Sequence, residues 1–458
     1  MTESSSRREL PTAESLPDHL FRLALPVLGE QLLVFSIDSF DVYLAGQIGT
    51  AETSAIGLAA YVVWMASLIM GLVRTGVGAL VARAWGGGDR AAAREITSRG
   101  FFLGFFLCLF VWQLLRALAP VFAGSLTMTG DAHAIAANYI RWAALGQVFQ
   151  GVTLIGTAAL RATGDMRTPL AILAVTNVIN MVAATACVYG WGPVPKMGVT
   201  GIVTGTVIAQ AVSMILMLLA LSHGVTRLQL IWSEVRLHRD TATRILRVGG
   251  PSALDGLLKF SGHYLFLMVI ARLSAGGFNP AIFSAHIVGV RMEALSYLPA
   301  EAWGIASASL AGRLLGATSH DVALRTGHMA LRQFIWYPVV TSILFFAFAP
   351  QIYHAMNHDP AVAAAGVPAF RLLALYQVPN ACLMIYVYTL IGAGDTRFPM
   401  WCSLCCSLGV RIPVAYLCGV VLEGGLFGAW IGMGVDNITR CLLISWRYSA
   451  GHWVRAKV

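Results

Sequence analysis

Ala159-Leu160-Arg161-Ala162-Thr163-Gly164-Asp165-Met166-Arg167-Thr168-Pro169 is answered, 230 residues on, by Thr389-Leu390-Ile391-Gly392-Ala393-Gly394-Asp395-Thr396-Arg397-Phe398-Pro399. Gly, Asp, Arg and Pro hold the same places in both stretches. The same offset relates Arg83 to Arg313, Gly86 to Gly316, Arg141 to Arg371 and Gln147 to Gln377. Near the start of each half it slips, and Leu25-Pro26-Val27-Leu28-Gly29-Glu30 corresponds to Gly250-Pro251-Ser252-Ala253-Leu254-Asp255. Two related halves, each too apolar to be soluble, characterise membrane proteins that move a solute between two lobes.

Composition supports this. The chain is 57% hydrophobic and 12% charged, with a mean hydropathy of +0.71, whereas a soluble domain carries about 25% charged residues. Apolar runs of about 20 residues recur along its length, each long enough for a transmembrane helix. Strand-like alternation is lacking, which argues against a β-barrel. The runs predict twelve spans, at 20–45, 53–84, 95–119, 134–160, 168–190, 199–222, 245–273, 282–314, 324–349, 364–391, 399–422 and 426–447. The expected fold is therefore an all-α integral membrane protein of twelve transmembrane helices in two six-helix lobes. Residues 1–17 read as a polar tail and 18–225 as the N-lobe. A cytoplasmic linker is expected over 226–244, the C-lobe over 245–448, and a second tail over 449–458. No short apolar segment with a small-residue cleavage site precedes the first span, so a cleaved signal peptide is not expected.

The helix-end signals agree with this count. Gly86-Gly87-Gly88 should end the second helix, with Asp89 capping the third. Gly316 should end the eighth, with Thr318 or Ser319 as the next cap. Pro169 and Pro399 fall early in their helices, where a missing N–H costs nothing.

The net charge of +9 comes mainly from arginines in loops that would share one side of the membrane, among them Arg83, Arg90, Arg94, Arg99, Arg161, Arg167, Arg313 and Arg397. This bias orients a membrane protein and calls for no nucleic acid. Both termini are expected in the cytoplasm, in a multi-pass protein of the plasma (inner) membrane. Six spans per half make the repeats parallel. Cys402, Cys405 and Cys406 lie in an apolar helix with no nearby His, so they read as packing residues rather than metal ligands.

Ionisable residues inside a membrane helix cost roughly 2.5 kcal/mol or more, and each raises a functional question. The first span holds Glu30, Asp38 and Asp41. Glu30 and Asp41 are about three turns apart, roughly 16 Å, and face nearly the same way. Asp38 is one turn from Asp41, and two carboxylates that close resist simultaneous ionisation, which suits a proton carrier or a cation site. The seventh span carries Asp255, Lys259 and His263 at successive i, i+4 steps, with Asp255 before Lys259 in the favourable order for an ion pair. The eighth adds Glu293 and Arg291. Arg74, Arg141, Arg371, Arg411 and Arg440 are further charges within or bounding spans. Arg141 and Arg371, as repeat mates, suggest a shared structural role such as bonding helix-end carbonyls. Asn177 and Asn180 share a face of the fifth span, where amide oxygens serve either helix packing or Na⁺. No phosphate-binding loop, His-Glu-x-x-His or Gly-x-Ser-x-Gly pattern occurs, so no enzyme is expected.

Phe40-Asp41-Val42-Tyr43-Leu44-Ala45-Gly46 resembles the first-helix motif of the multidrug and toxic compound extrusion (MATE) family. Leu80-Val81-Ala82-Arg83-Ala84-Trp85-Gly86-Gly87-Gly88-Asp89 resembles its second-helix exit. Ala285-His286, Glu293 to Pro299 and Leu310-Ala311-Gly312-Arg313 resemble its eighth helix. Gly392-Ala393-Gly394-Asp395-Thr396-Arg397 resembles the loop after its tenth. The resemblance spans about residues 20 to 450. It implies alternating access between two lobes, with export of organic cations coupled to inward H⁺ or Na⁺, no cofactor beyond that ion, and a monomer in the lipid bilayer. It also implies that Asp41, Asn180 and Thr206 form the coupling site, with Asp38 as a further carboxylate. Na⁺ at Asp41 and Asn180 is one form of that site and a proton on Asp41 the other. The family's fifth-helix Asp is replaced here by Ala184, which favours the proton. Glu30, Asp255, Lys259 and Glu293 are the expected substrate-cavity residues. The rival within the superfamily is a lipid-linked oligosaccharide flippase, which would need a cationic cavity, and Lys259 and Arg291 are the residues that would favour it.

Overall fold

The computed structural model describes residues 10–48, 50–125, 131–223, 228–273, 279–357 and 359–455. The described chain makes twelve helical passages. They are α1 Leu16–Ile48, α2 Thr50–Gly86, α3 Arg90–Ser125, α4 Asp131–Thr163, α5 Arg167–Tyr189 and α6 Val199–Ser222. The second six are α7 Arg239–Ile270, α8 Pro280–Gly316, α9 His320–Ala347, α10 Pro360–Gly392, α11 Arg397–Val421 and α12 Gly425–Ser449. Among the described residues nine are long and apolar enough to cross a membrane, and ten when the two halves of α10 count as one. α8 and α12, of 37 and 25 residues, are long enough to span. They fall short in hydropathy because they carry Arg291, Glu293, Glu301 and Arg313, and Asp436, Arg440 and Arg447.

Prolines shape individual helices. α10 bends by 54° between Leu375 and Gln377. Pro379 lacks the N–H that would bond the carbonyl four residues back and crowds that carbonyl, which accounts for a break there. α11 contains two π-helical stretches, Leu404–Arg411 and Leu417–Val421, on either side of a short α segment that begins Ile412-Pro413.

The chain forms two compact units, and the division lies inside helices rather than in the linker. Of the described residues, one unit holds Leu25–Ala253 and the other takes those up to Ala24 and from Leu254 onward. The sequence placed the boundary over 226–244. The difference has a packing cause: the linker and the first half of α7 are built into the first unit. Residues 239–244 are already helix, and Leu228, Leu230 and Ile245 join a core with Val77, Trp85, Ile96 and Leu160. Ile231 N donates to Ser98 Oγ at 2.9 Å. Arg99 donates to Glu234 Oε2 at 2.8 and 3.1 Å and to Thr241 Oγ1 at 3.1 Å. Those bonds hold the Glu234 carboxyl below its ordinary pKa. A Cβ on Gly249 would lie 1.6 Å from Leu72 O, so only glycine lets α7 approach α2 this closely. The next residue, Gly250, has open space around it.

The helix ends bear out the reading at one site and correct it at another. Asp89 Oδ1 accepts from Ala92 N at 2.9 Å and caps α3. At the equivalent turn neither Thr318 nor Ser319 caps α9: the Thr318 hydroxyl bonds Ala317 O, and Ser319 makes no side-chain cap bond. Thr318 instead occupies the left-handed conformation (φ 60°) that Gly88 takes (φ 84°) in the other half.

Two predictions follow from this packing. Gly249→Ala lowers stability by about 1–3 kcal/mol, the usual cost of overpacking, while Gly250→Ala does not lower it. Thr318→Gly raises stability by about 1 kcal/mol, because it removes the Cβ penalty of a left-handed residue. Thermal unfolding of the purified variants in detergent, followed by tryptophan fluorescence, checks both.

Candidate functional site

The geometry begins with two glycines. α6 runs against α5 with almost no side chain between them: a Cβ on Gly201 would be 2.6 Å from the Cys187 carbonyl carbon, and one on Gly205 2.4 Å from Ala184 N. This approach, the small-residue packing common between membrane helices, brings Thr206 up to α5. Asn180 Nδ2 donates to Thr206 Oγ1 at 3.1 Å. Thr206 Oγ1 in turn stands 3.4 Å from Asp41 Oδ2 of α1 and 3.1 Å from Ile202 O. A hydroxyl has one proton, so it donates to one of these two oxygens at a time.

The remaining oxygens have no donor. Asp41 Oδ1, Asn180 Oδ1 and Asn177 Oδ1 are buried without a hydrogen-bond partner among the described residues. Asn177 spends its amide N–H on Leu33 O of α1 at 2.8 Å. Asp41, Asn180 and Thr206 are thus brought together, with Asn177 of α5 turned toward the same helix. Asp38, one turn from Asp41, is exposed. Ala184, one turn beyond Asn180, lies fully buried in an apolar cluster with Leu44, Ala45, Val188, Val199 and Ile202.

The other acids do not join this constellation. Glu30 shares a face with Asp41 on paper, yet it forms an ion pair with Arg161 at the end of α4. In the second unit Asp255 pairs with Lys259 at 2.7 Å, and the Lys259 side chain is 41% exposed. Glu293 Oε1 accepts from Asn380 Nδ2 of α10 at 3.5 Å.

Sequence reading missed the most buried charge in that unit. Asp436 of α12 is fully buried between two arginines, Arg411 and Arg440, each at 2.6 Å. Asp436 and Arg440 stand at i, i+4 and could have been paired on that spacing. The bond to Arg411 depends on the packing of α11 against α12. The repeat mates Gln147 and Gln377 keep one role in both units: Ser67 Oγ donates to Gln147 Oε1 at 3.2 Å, and Ser296 Oγ to Gln377 Oε1 at 2.5 Å. Arg371 bonds a carbonyl as expected, Phe346 O at 3.3 Å; among the described residues Arg141 does not repeat that bond.

The protein-family model MatE matches residues 26–185 and 251–417, one stretch in each half of the chain. The chain belongs to the MATE family. The probable multidrug resistance protein NorM of Thermotoga maritima is 26% identical, over 100% of this chain and 98% of that protein. The multidrug resistance protein PmpM of Pseudomonas aeruginosa is 24% identical over 95% of this chain and 92% of its own length. Among solved structures, a transporter of the wider MOP superfamily from Pyrococcus furiosus superposes with a TM-score of 0.89 at 18% identity, covering 98% of this chain and 100% of that one. An outward-facing multidrug resistance MATE transporter gives 0.86 at 20% identity, with 95% and 96% covered. These likenesses show the twelve-helix MATE fold. The position for which the resemblance implied a fifth-helix Asp, Ala184, is filled here with apolar packing. Ala184 stands against the α6 backbone, and a carboxylate there would have to displace it.

Asp436→Asn should leave Arg411 and Arg440 without a counter-charge in the interior. Breaking a buried pair in this way costs about 3–5 kcal/mol. Thermal unfolding in detergent reads this as a large drop in midpoint, and an unchanged midpoint would refute the structural role assigned to Asp436.

Proposed function

We propose that this chain is a secondary antiporter of the inner membrane that exports organic cations by alternating access, driven by inward flow of protons. The observation that carries the reading is the set of three buried acceptor oxygens without donors, on Asp41, Asn180 and Asn177. Buried oxygens are nearly always partnered, so such a set favours arrival of a proton or a hard cation. The proton is preferred over Na⁺ because the constellation holds one carboxylate, the remaining oxygens are neutral, and the position of the family's second acid is the apolar Ala184. A proton on Asp41 removes the charge and reverses its hydrogen bond with Thr206, so that Asp41 becomes the donor. α1 would then be free to repack, and the change would travel to the substrate-binding surface. The arginine-rich loops support cytoplasmic termini. Of the two cations that would favour the flippase reading, Lys259 is already neutralised by Asp255.

The test is uptake of a fluorescent organic cation into liposomes containing the purified protein, with a pH gradient and a Na⁺ gradient imposed separately. A pH gradient alone should drive uptake. Asp41→Asn should reduce it to background, and Thr206→Val should slow it without abolishing it. Full transport by Asp41→Asn at equal incorporation would defeat the coupling role. Uptake that needs Na⁺ would transfer the site to that ion and give Asp38 a part in holding it.

A further inference from the structure

Two arginines are exposed on the first unit near one end of its membrane-spanning helices. Arg116 of α3 and Arg141 of α4 line one cleft of about 530 Å³ together with Gln113 and Ala117. They stand at matching depth, each roughly 6–8 Å inside the end of its apolar span (Arg90–Pro120 and Ala136–Thr163) at 1.5 Å per residue, the level of a lipid headgroup. Among the described residues neither has an ion-pair or hydrogen-bond partner, and no acid lines the cleft. The same two helices bury Val111, Leu115 and Ala119 of α3 and Ile140, Ala144 and Val148 of α4 in one apolar cluster.

The internal repeat supplies a control within the same molecule. At the 230-residue offset, Gln113, Arg116, Ala117 and Arg141 become Ile343, Phe346, Ala347 and Arg371, and Pro120 becomes Pro350. There the arginine is satisfied from within: Arg371 donates to Phe346 O at 3.3 Å and lies over the Phe346 ring at 5.6 Å. In the first unit that aromatic partner has become a second arginine. The position has lost the ring that covers the guanidinium and gained a charge, and two like charges lining one cleft favour an anion between them.

From this geometry we infer that the Arg116–Arg141 cleft is a binding site for the phosphate of an anionic phospholipid. Two guanidinium groups and the Gln113 amide present only donors or a neutral amide, which suits a phosphodiester. A lipid fits better than free phosphate because an apolar track leads to the cleft along one face of α3. Phe106, Phe110 and Leu114, at successive i+4 positions, are all exposed, and Trp142 is exposed beside Arg141. An acyl chain would lie on this track with its headgroup at the arginines.

Native mass spectrometry of the full-length protein in detergent micelles, titrated with phosphatidylglycerol or phosphatidylcholine, tests the site. The wild type should prefer phosphatidylglycerol. Arg116→Phe, which copies the arrangement of the other half, and Arg141→Gln should each weaken that lipid roughly fivefold. The double variant should lose the preference, while Arg371→Gln keeps it. An unfolding midpoint in lipid-free detergent confirms that each variant is folded, and Arg116→Gln replaces any that is not. Phosphatidylglycerol bound equally well by the folded double variant overturns the proposal. So does its displacement by equimolar inorganic phosphate, which would make the cleft a site for a soluble anion.

Discussion

The backbone contact between α5 and α6 sets the geometry on which the site depends. Gly201 and Gly205 let the two helices touch at Cys187 and Ala184, and the next residue, Thr206, therefore reaches Asn180 and Asp41. A side chain at either glycine would push Thr206 away and open the constellation. The contact also explains Ala184: where helices meet backbone to backbone, a carboxylate one turn from Asn180 has no room. The second unit repeats the device, with Gly428 against Cys418 and Gly432 against Ala415. There the same contact brings Arg411 to Asp436. One packing solution thus serves a polar site with unsatisfied oxygens in one half and a closed ionic cluster in the other.

The two halves show how a duplicated fold keeps its frame and changes its chemistry. The serine–glutamine bond between the second and fourth helices of each repeat is retained at Ser67–Gln147 and Ser296–Gln377. The turn after the fourth helix is retained in backbone, with Gly164 and Gly394 both at φ 93°. Its aspartate has diverged. Asp165 accepts from Arg167 N and Thr168 N and starts the next helix, whereas Asp395 forms an ion pair with Arg447. Arg141 and Arg371 differ in the same way. Backbone geometry is constrained by every neighbour, but a side chain near a surface can change partners at little cost.

The division inside α1 and α7 has a physical source in the sequence. Pro26 and Pro251 interrupt the helical hydrogen bonds at equivalent points, and such points are where one helix can belong to two packing units. Past Pro251 the chain joins the second unit. Before it, the linker is held to α3 by Arg99 and to the core by Leu228 and Leu230.

The class of fold, the twelve passages and the duplication were legible in the sequence, and the family resemblance pointed to Asp41, Asn180 and Thr206, which the structure brings together. Hydropathy, glycine and proline placement and motif spacing are properties of short segments, and a membrane leaves helices little choice of form. The i, i+4 pair of Asp255 with Lys259 was legible for the same reason. The tertiary structure alone decided which charges were already neutralised. Glu30 meets Arg161 across 131 residues of sequence, and Asp436 meets Arg411 from a neighbouring helix. It also decided that Arg116 and Arg141 share one cleft. Sequence spacing fixes which face of a helix a residue occupies. Which helix that face meets depends on the close approaches that glycine and alanine permit between segments far apart in the chain.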